Sequence, residues 1–458
     1  MKKNTSFHNS PLLFACIIIA MLASCKSSMK DTVSNFDINK VNHIIVIYME
    51  NHSFDNLYGE FPGANGLVNA SATQTQIDTI DGKPFSILPW SDNTHFNPNP
   101  SFPNKPLDID AYVPPGAPTN DLVHRYYQEQ VQIDGGKMDK FAIISDAKGL
   151  AMGYYHTARL PMFPIVRQYT LCDNFFHSAF GGSFLNHIYF IAAAPPVFPH
   201  APETIVAKGG IVSSNGAIND GAVTQDGYAI NTLQSINSPH KQKTPVSELC
   251  PNQTMPTIGD RLTEKGISWA WYSGKWNVML GGNATAADSG LFQYHHQPFV
   301  YFAKYADSTA AKAEHLKDET DFTAALAKGS LPAVSFIKPY GIDNEHPGYT
   351  DLLTGENHLV GLIDQIKASA IWKDCVIIIT YDEHGGFWDH VPPPVIDKWG
   401  PGCRVPGIII SPFAKNGFVD HTQYETGSIL ALIEKRWGLQ PLGTRDKAAD
   451  PFSNAFKD

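Results

Sequence analysis

Apolar residues fall into a few dense segments along the chain, separated by long polar passages. "VNHIIVIYMEN", Val41 to Asn51, is apolar at successive positions. Neighbouring residues of a strand point to opposite faces, so such a run predicts a strand buried on both sides, as in a parallel sheet. "ENHLVGLIDQIKAS" sets Leu359, Leu362, Ile363 and Ile366 at helical spacing, and "CVIIITYDEHGG" follows as a second buried strand. "VPGIIISPFA", Val405 to Ala414, predicts another strand, and "TGSILALIEKRWGL", Thr426 to Leu439, a further helix. "TIGDRLTEKGISWAWYSGKW", Thr257 to Trp276, reads as helix then strand. This alternation predicts an α/β fold, doubly wound, with a mostly parallel central sheet and helices on both faces. The passages 64–120 and 195–252 are rich in Gly, Pro, Asn and Ser and predict long loop insertions over the sheet edge. No internal repeat or linker divides the chain, so residues 39–458 are expected to form a single domain.

The first 25 residues carry a different pattern. Lys2 and Lys3 precede the apolar run "PLLFACIIIAMLA", which ends in "LASC" at Cys25. The run is shorter than the roughly 20 residues that span a bilayer, so it predicts a signal peptide rather than a membrane helix. "LASC" resembles a bacterial lipobox, which implies cleavage before Cys25, lipidation of its sulfur and a polar tether over 26–38. The expected location is the cell envelope of a bacterium, periplasm or outer membrane, with a lipid anchor holding the protein to the membrane. Cys172, Cys250, Cys375 and Cys403 remain, widely spaced and without a CxxC pair. Cys375 opens an apolar strand and reads as a core residue. A hydrophobic content of 43% supports a large core, and a net charge of −10 without a dense Lys/Arg block speaks against nucleic acid as a partner.

The chemistry is expected at the carboxyl ends of the strands, where open α/β sheets deliver side chains into a crevice. Glu50 and Asn51 end the first strand, and Asp382 and Glu383 end the later one. If those strands are neighbours, the four side chains make an oxygen-rich site for a hard divalent cation. Alternatively, each acidic pair caps its strand in solvent. In "CDNFFHSAFGGSFLNHIYFIAA", Ser183 follows two glycines and precedes a helix-compatible run. A serine there stands beside N–H groups and a helix dipole suited to an anion. "GGSFL" lacks the second glycine of an α/β-hydrolase nucleophile elbow.

Five ordered motifs, "HIIVIYMENHSFDNLYG", "GGSFLNHIY", "GISWAWY", "YDEHGGFWDHVPPP" and "PGIIISPFA", together resemble the bacterial phosphoesterase family of acid phosphatases and non-haemolytic phospholipases C. The resemblance covers Asn42 to Leu439 and implies an alkaline-phosphatase-like fold. It implies that Ser183 is a nucleophile that becomes transiently phosphorylated. It also implies a divalent metal ion of unspecified identity on Glu50, Asn51, Ser183, Asp382 and Glu383. His295 and His296, His346 and His124 resemble the family's active-site histidines, with His346 or His296 as general acid and His124 as a phosphate-binding donor. His384 can point into the pocket or away. Asp389 and His390 are expected to brace a loop, and Asp55 to orient the loop after the first strand.

Where the phospholipase branch reads "[ST]xPNR" at the nucleophile, this chain has Leu185 and His187. It runs only to Asp458 beyond the helix ending at Leu439, so the extra C-terminal β-domains of many such phospholipases are not expected. The resulting expectation is a broad-specificity acid phosphatase acting on phosphate-ester small molecules. The alternatives are a phospholipase C acting on phospholipid head groups and a non-catalytic envelope binding lipoprotein. Retention of Ser183 and all four proposed ligands weighs against the last. A sulfatase or phosphonate hydrolase is disfavoured because no Cys/Ser-x-Pro-x-Arg motif occurs.

Overall fold

In a computed structural model of the protein, residues 36–79, 81–90, 101–208 and 220–458 are described. The signal segment, Cys25 and most of the tether lie outside them. Eight strands form one sheet: β1 (His43–Met49), β2 (Thr170–Cys172), β3 (Trp269–Ser273), β4 (Leu316–Asp318), β5 (Val334–Lys338), β6 (Cys375–Tyr381), β7 (Gly407–Ile410) and β8 (Phe418–Asp420). Their order across the sheet is β8-β2-β7-β6-β1-β5-β3-β4. The helices that matter to the site or the core are α1 (Phe54–Tyr58), α2 (Tyr126–Ile133), α3 (Ser183–Ala192), α4 (Ile258–Glu264), α5 (Leu352–Ala368) and α6 (Thr426–Trp437).

Every residue from Ile44 to Met49 and from Cys375 to Tyr381 is buried. Because side chains alternate sides along a strand, both faces of β1 and β6 must be covered. α5 shows how: Leu352, Leu359, Leu362, Ile363 and Ile366 are buried at three- and four-residue spacing. Burying each such side chain is worth about 1.5–3 kcal/mol. Asp351 caps the helix by accepting from the Thr354 N–H at 2.9 Å.

All strand pairs are parallel except those of β7, which runs antiparallel to β6 and to β2. The cause is the connection. Residues 382–406 contain no helix, and without a crossover the chain re-enters beside β6 only by turning back. The middle of that loop lies at the surface, with Val395 fully exposed. The passages 64–120 and 195–252 carry, among the described residues, short 3-10 turns, the two-residue strand Leu107–Asp108 and isolated bridges. Cys172, Cys250, Cys375 and Cys403 are all buried free thiols. Among the described residues no helix is long and apolar enough to cross a membrane.

Candidate active site

β6, β1 and β5 are adjacent and parallel, with Met49 opposite Tyr381 and Ile47 opposite Ile337. Their carboxyl ends therefore deliver Asp382 and Glu383, Glu50 and Asn51, and Lys338 side by side, and all five are completely buried. Asn51 adopts a left-handed backbone, φ 63°, and its N–H donates to Asp382 Oδ1 at 3.2 Å. The turn after Glu383 closes against it: the Gly385 N–H donates to Glu383 Oε2 at 2.6 Å. At φ +64°, a Cβ on Gly385 would strike the Asn51 carbonyl oxygen, so only glycine lets the two strand ends meet.

Ser183 reaches this group from a third element. It opens α3 behind Gly182, with no side chain capping the helix, so the first-turn N–H groups stay available at the positive end of the dipole. The Ser183 hydroxyl lies 3.2 Å from Glu50 Oε2 and 3.4 Å from Asn51 Oδ1. Gly181, at φ +86°, packs against the Tyr126 backbone, and a Cβ on Gly182 would come within 2.8 Å of the His124 carbonyl oxygen. The glycine pair thus brings His124 against the serine. Glu129 of α2, fully buried, anchors the same loop, accepting from the Gly181 N–H at 2.5 Å, the Cys403 N–H at 2.8 Å and His177 Nε2 at 2.9 Å. Burial opposes its charge, but His177, His384 and the loop N–H hold the carboxyl down at about 2.

A cavity of about 320 Å³ opens over the serine, with Ser183, Glu50, His124, His295, His346 and Tyr349 among its walls. His124 Nδ1 donates to the Leu122 carbonyl and its Nε2 accepts from the Asn51 amide at 3.2 Å; the same ring lies 3.7 Å from Glu383. His346 Nδ1 accepts from the Gly348 N–H at 3.0 Å, so in the neutral ring Nε2 carries the hydrogen. His296 sits behind the wall, its Nε2 2.8 Å from Glu50 Oε1. Its carbonyl is held by the Trp271 indole and the Ser273 hydroxyl of β3, each at 2.7 Å, which gives the "SWAWYS" strand a part in the site. Burial, reinforced by neighbouring positive groups, pushes His295, His296 and His346 well below the usual imidazole range. His384 turns away from Ser183, bonding the Phe387 carbonyl at 3.0 Å and lying 3.7 Å from Glu129. Asp55, Asp389 and His390 form a separate brace around buried Arg404, with Asp55 accepting from the His390 N–H at 2.7 Å and Asp389 from Arg404 Nε at 2.8 Å.

The group fits a divalent cation. Asp382 Oδ2 and Glu383 Oε1 are buried and accept no hydrogen bond among the described residues. Burial, then the neighbouring Glu50, raises Asp382 to about 6, and burial with Asp382 beside it raises Glu383 well above the carboxylate range. Carboxylates crowded without donors are stabilised by a bound cation. Two further residues escape the sequence reading. Lys338 Nζ lies 2.5 Å from Glu50 Oε1 and donates to the Met49 carbonyl at 3.0 Å. His187 Nδ1 donates to the Ser183 carbonyl at 2.7 Å and lies 3.7 Å from Asp382. "AVSFIK" carried the signal for Lys338: it too is an apolar strand ending in a charge.

A profile of the Phosphoesterase family matches residues 41–440. Phospholipase C A of Mycobacterium tuberculosis is 24% identical, covering 92% of this chain and 78% of that protein. The non-hemolytic phospholipase C of Pseudomonas aeruginosa is 23% identical, covering 88% of this chain and 55% of its own. Among solved structures, a Vibrio parahaemolyticus protein in the alkaline phosphatase superfamily aligns with a TM-score of 0.34 and 10% identity over 66% of this chain and 65% of that one.

Proposed function

The chain belongs to the Phosphoesterase family, and from that premise we propose a metal-dependent hydrolase of phosphate esters in which Ser183 is the nucleophile. The observation that carries the proposal is the Ser183 hydroxyl 3.2 Å from Glu50, at the foot of a cavity and beside buried carboxylate oxygens that lack donors. Glu50, Asn51, Asp382, Glu383 and Ser183 would hold the cation. When bound, it lowers the serine pKa and offsets phosphoryl charge.

The chain's own groups supply the rest. Glu50 Oε2 stands where it can accept the Oγ proton. As the Oγ–P bond forms and the ester P–O bond breaks, the first-turn N–H groups of α3 face the phosphoryl oxygens, with the His124 ring beside them in the cavity wall. His346, on the cavity wall with hydrogen on Nε2, is placed to hydrogen-bond the leaving oxygen, which takes its proton from water. Water then cleaves the phosphoserine by the reverse proton path. His296, turned to Glu50, is placed to hold that carboxylate rather than to reach substrate.

We favour phosphomonoesters as substrates because Leu185 and His187 stand where the phospholipase branch has proline and arginine. The names of the curated relatives favour a second reading, hydrolysis of phosphodiester lipid head groups by a phospholipase C. Ser183→Ala should reduce hydrolysis of p-nitrophenyl phosphate by on the order of 10³-fold or more. Undiminished turnover in the purified variant would sink the proposal. Release of phosphocholine from phosphatidylcholine at a rate matching the monoester would favour the second reading.

The "LASC" segment supports an exported, lipid-anchored protein. Cys25→Ser should shift the protein from the detergent fraction of cells to the soluble one, and equal partitioning of both forms would count against the anchor.

A further inference from the structure

Resting on the metal reading above, we infer that Lys338 is a built-in cation that keeps the centre to one metal ion by filling a second, histidine-rich ligand set. That set is Glu50, His187 and His296. One ligand atom from each lies within 4.8 Å of the others, and all three residues are buried. The two imidazoles stack face to face, 5.3 Å apart at 9°. Nε2 of His187 makes no hydrogen bond among the described residues, and Nε2 of His296 faces Glu50 Oε1, a member of the same set, at 2.8 Å. By donor chemistry alone, two imidazoles and a carboxylate suit a transition metal such as zinc.

Lys338 stands in the way. Its ammonium lies 2.5 Å from Glu50 Oε1, the oxygen that His296 also faces, and is fixed by the Met49 carbonyl at 3.0 Å and the Tyr48 ring at 5.0 Å. Being fully buried at the end of β5, it has no alternative position in water. Charge points the same way. Three buried carboxylates, Glu50, Asp382 and Glu383, against one ammonium leave −2, which a single divalent ion balances. A second ion would leave the buried centre with an excess of +2. Glu50 is thus divided: Oε1 belongs to Lys338, and Oε2 faces Ser183 and the cation.

The test counts metal on the full chain, stripped and then equilibrated with excess Zn²⁺ before gel filtration. The expected stoichiometry is one in the natural protein, two in Lys338→Ala or Lys338→Met, and one again when His187→Ala is added. Co²⁺ substitution should show new nitrogen-ligand absorption in the lysine variants alone. Should neither lysine variant fold, His187→Ala in the natural background still decides, since it should keep one Zn²⁺ with unchanged Kd. Two Zn²⁺ in the natural protein, one in a folded lysine variant, or loss of the Zn²⁺ with His187→Ala would each overturn the inference. No Zn²⁺ in any form would overturn the inference, and no Mg²⁺, Ca²⁺ or Mn²⁺ in the natural protein either would overturn the metal reading itself.

Discussion

At the scale of single residues, the site depends on close approach. Gly385 lies between two strand ends, Glu50–Asn51 and Asp382–Glu383, and its N–H holds Glu383 while its α-carbon faces the Asn51 carbonyl. Gly385→Ala must both strain a φ of +64° and push the strand ends apart, costing about 1–3 kcal/mol. The variant should melt earlier and bind metal more weakly, measured by calorimetry with and without added cation; an unchanged Kd would show that the turn does not set the ligand spacing. Glu50, Asn51, Asp382 and Glu383 were legible in the sequence because each follows a run of apolar residues that has to be a buried strand. Lys338 obeys the same rule, yet a lysine after a strand reads as solvated until its burial is seen. His384 could not be assigned from "DEHGG", since the direction of its ring is decided by Glu129, more than two hundred residues away in sequence.

At the scale of elements, α2 works as a clamp on the loop that leads into Ser183. "YYQEQVQI" has little hydrophobic patterning, so nothing in it marked Glu129 as buried; two loops supply the three donors that make its burial tolerable. Glu129→Gln should loosen the Gly181–Ser183 turn and lower kcat more than it raises KM. Its acid stability should change too. The folded carboxyl sits at about 2, below its unfolded value, so its contribution is complete above roughly pH 4.5 and fades as pH falls toward 2. By linkage that contribution is on the order of 3 kcal/mol. Urea unfolding at pH 6 and pH 3 should therefore show a smaller pH difference in the variant, and equal differences would count against the clamp. The strands themselves and α5 were legible from periodicity. The reversal of β7 was not, because apolar content fixes burial and leaves direction to the length and path of the connection.

At the scale of the whole molecule, the site gathers residues 50, 183, 338 and 382, and no local pattern could bring them together. What the sequence offered was ordered motifs, each at the end of a predicted strand or the start of a predicted helix. The geometry joining them came from the strand order β6-β1-β5 and from the glycines that let α3 approach. The long return from β6 to β7 has a further consequence. Its first part is tied down through Asp382, Gly385 and Asp389, and its last part through Cys403 and Arg404, while the stretch around Val395 touches nothing that the chemistry uses. An incision between Val395 and Ile396 would thus divide the polypeptide but not the enzyme. A protease site inserted there should yield two fragments that co-elute and turn over substrate as the uncut protein does; fragments that part company would mean the peptide bond, rather than the packing, holds this wall in place. The same seam is where new termini could be opened, or a foreign sequence spliced in, at an exposed turn of the surface.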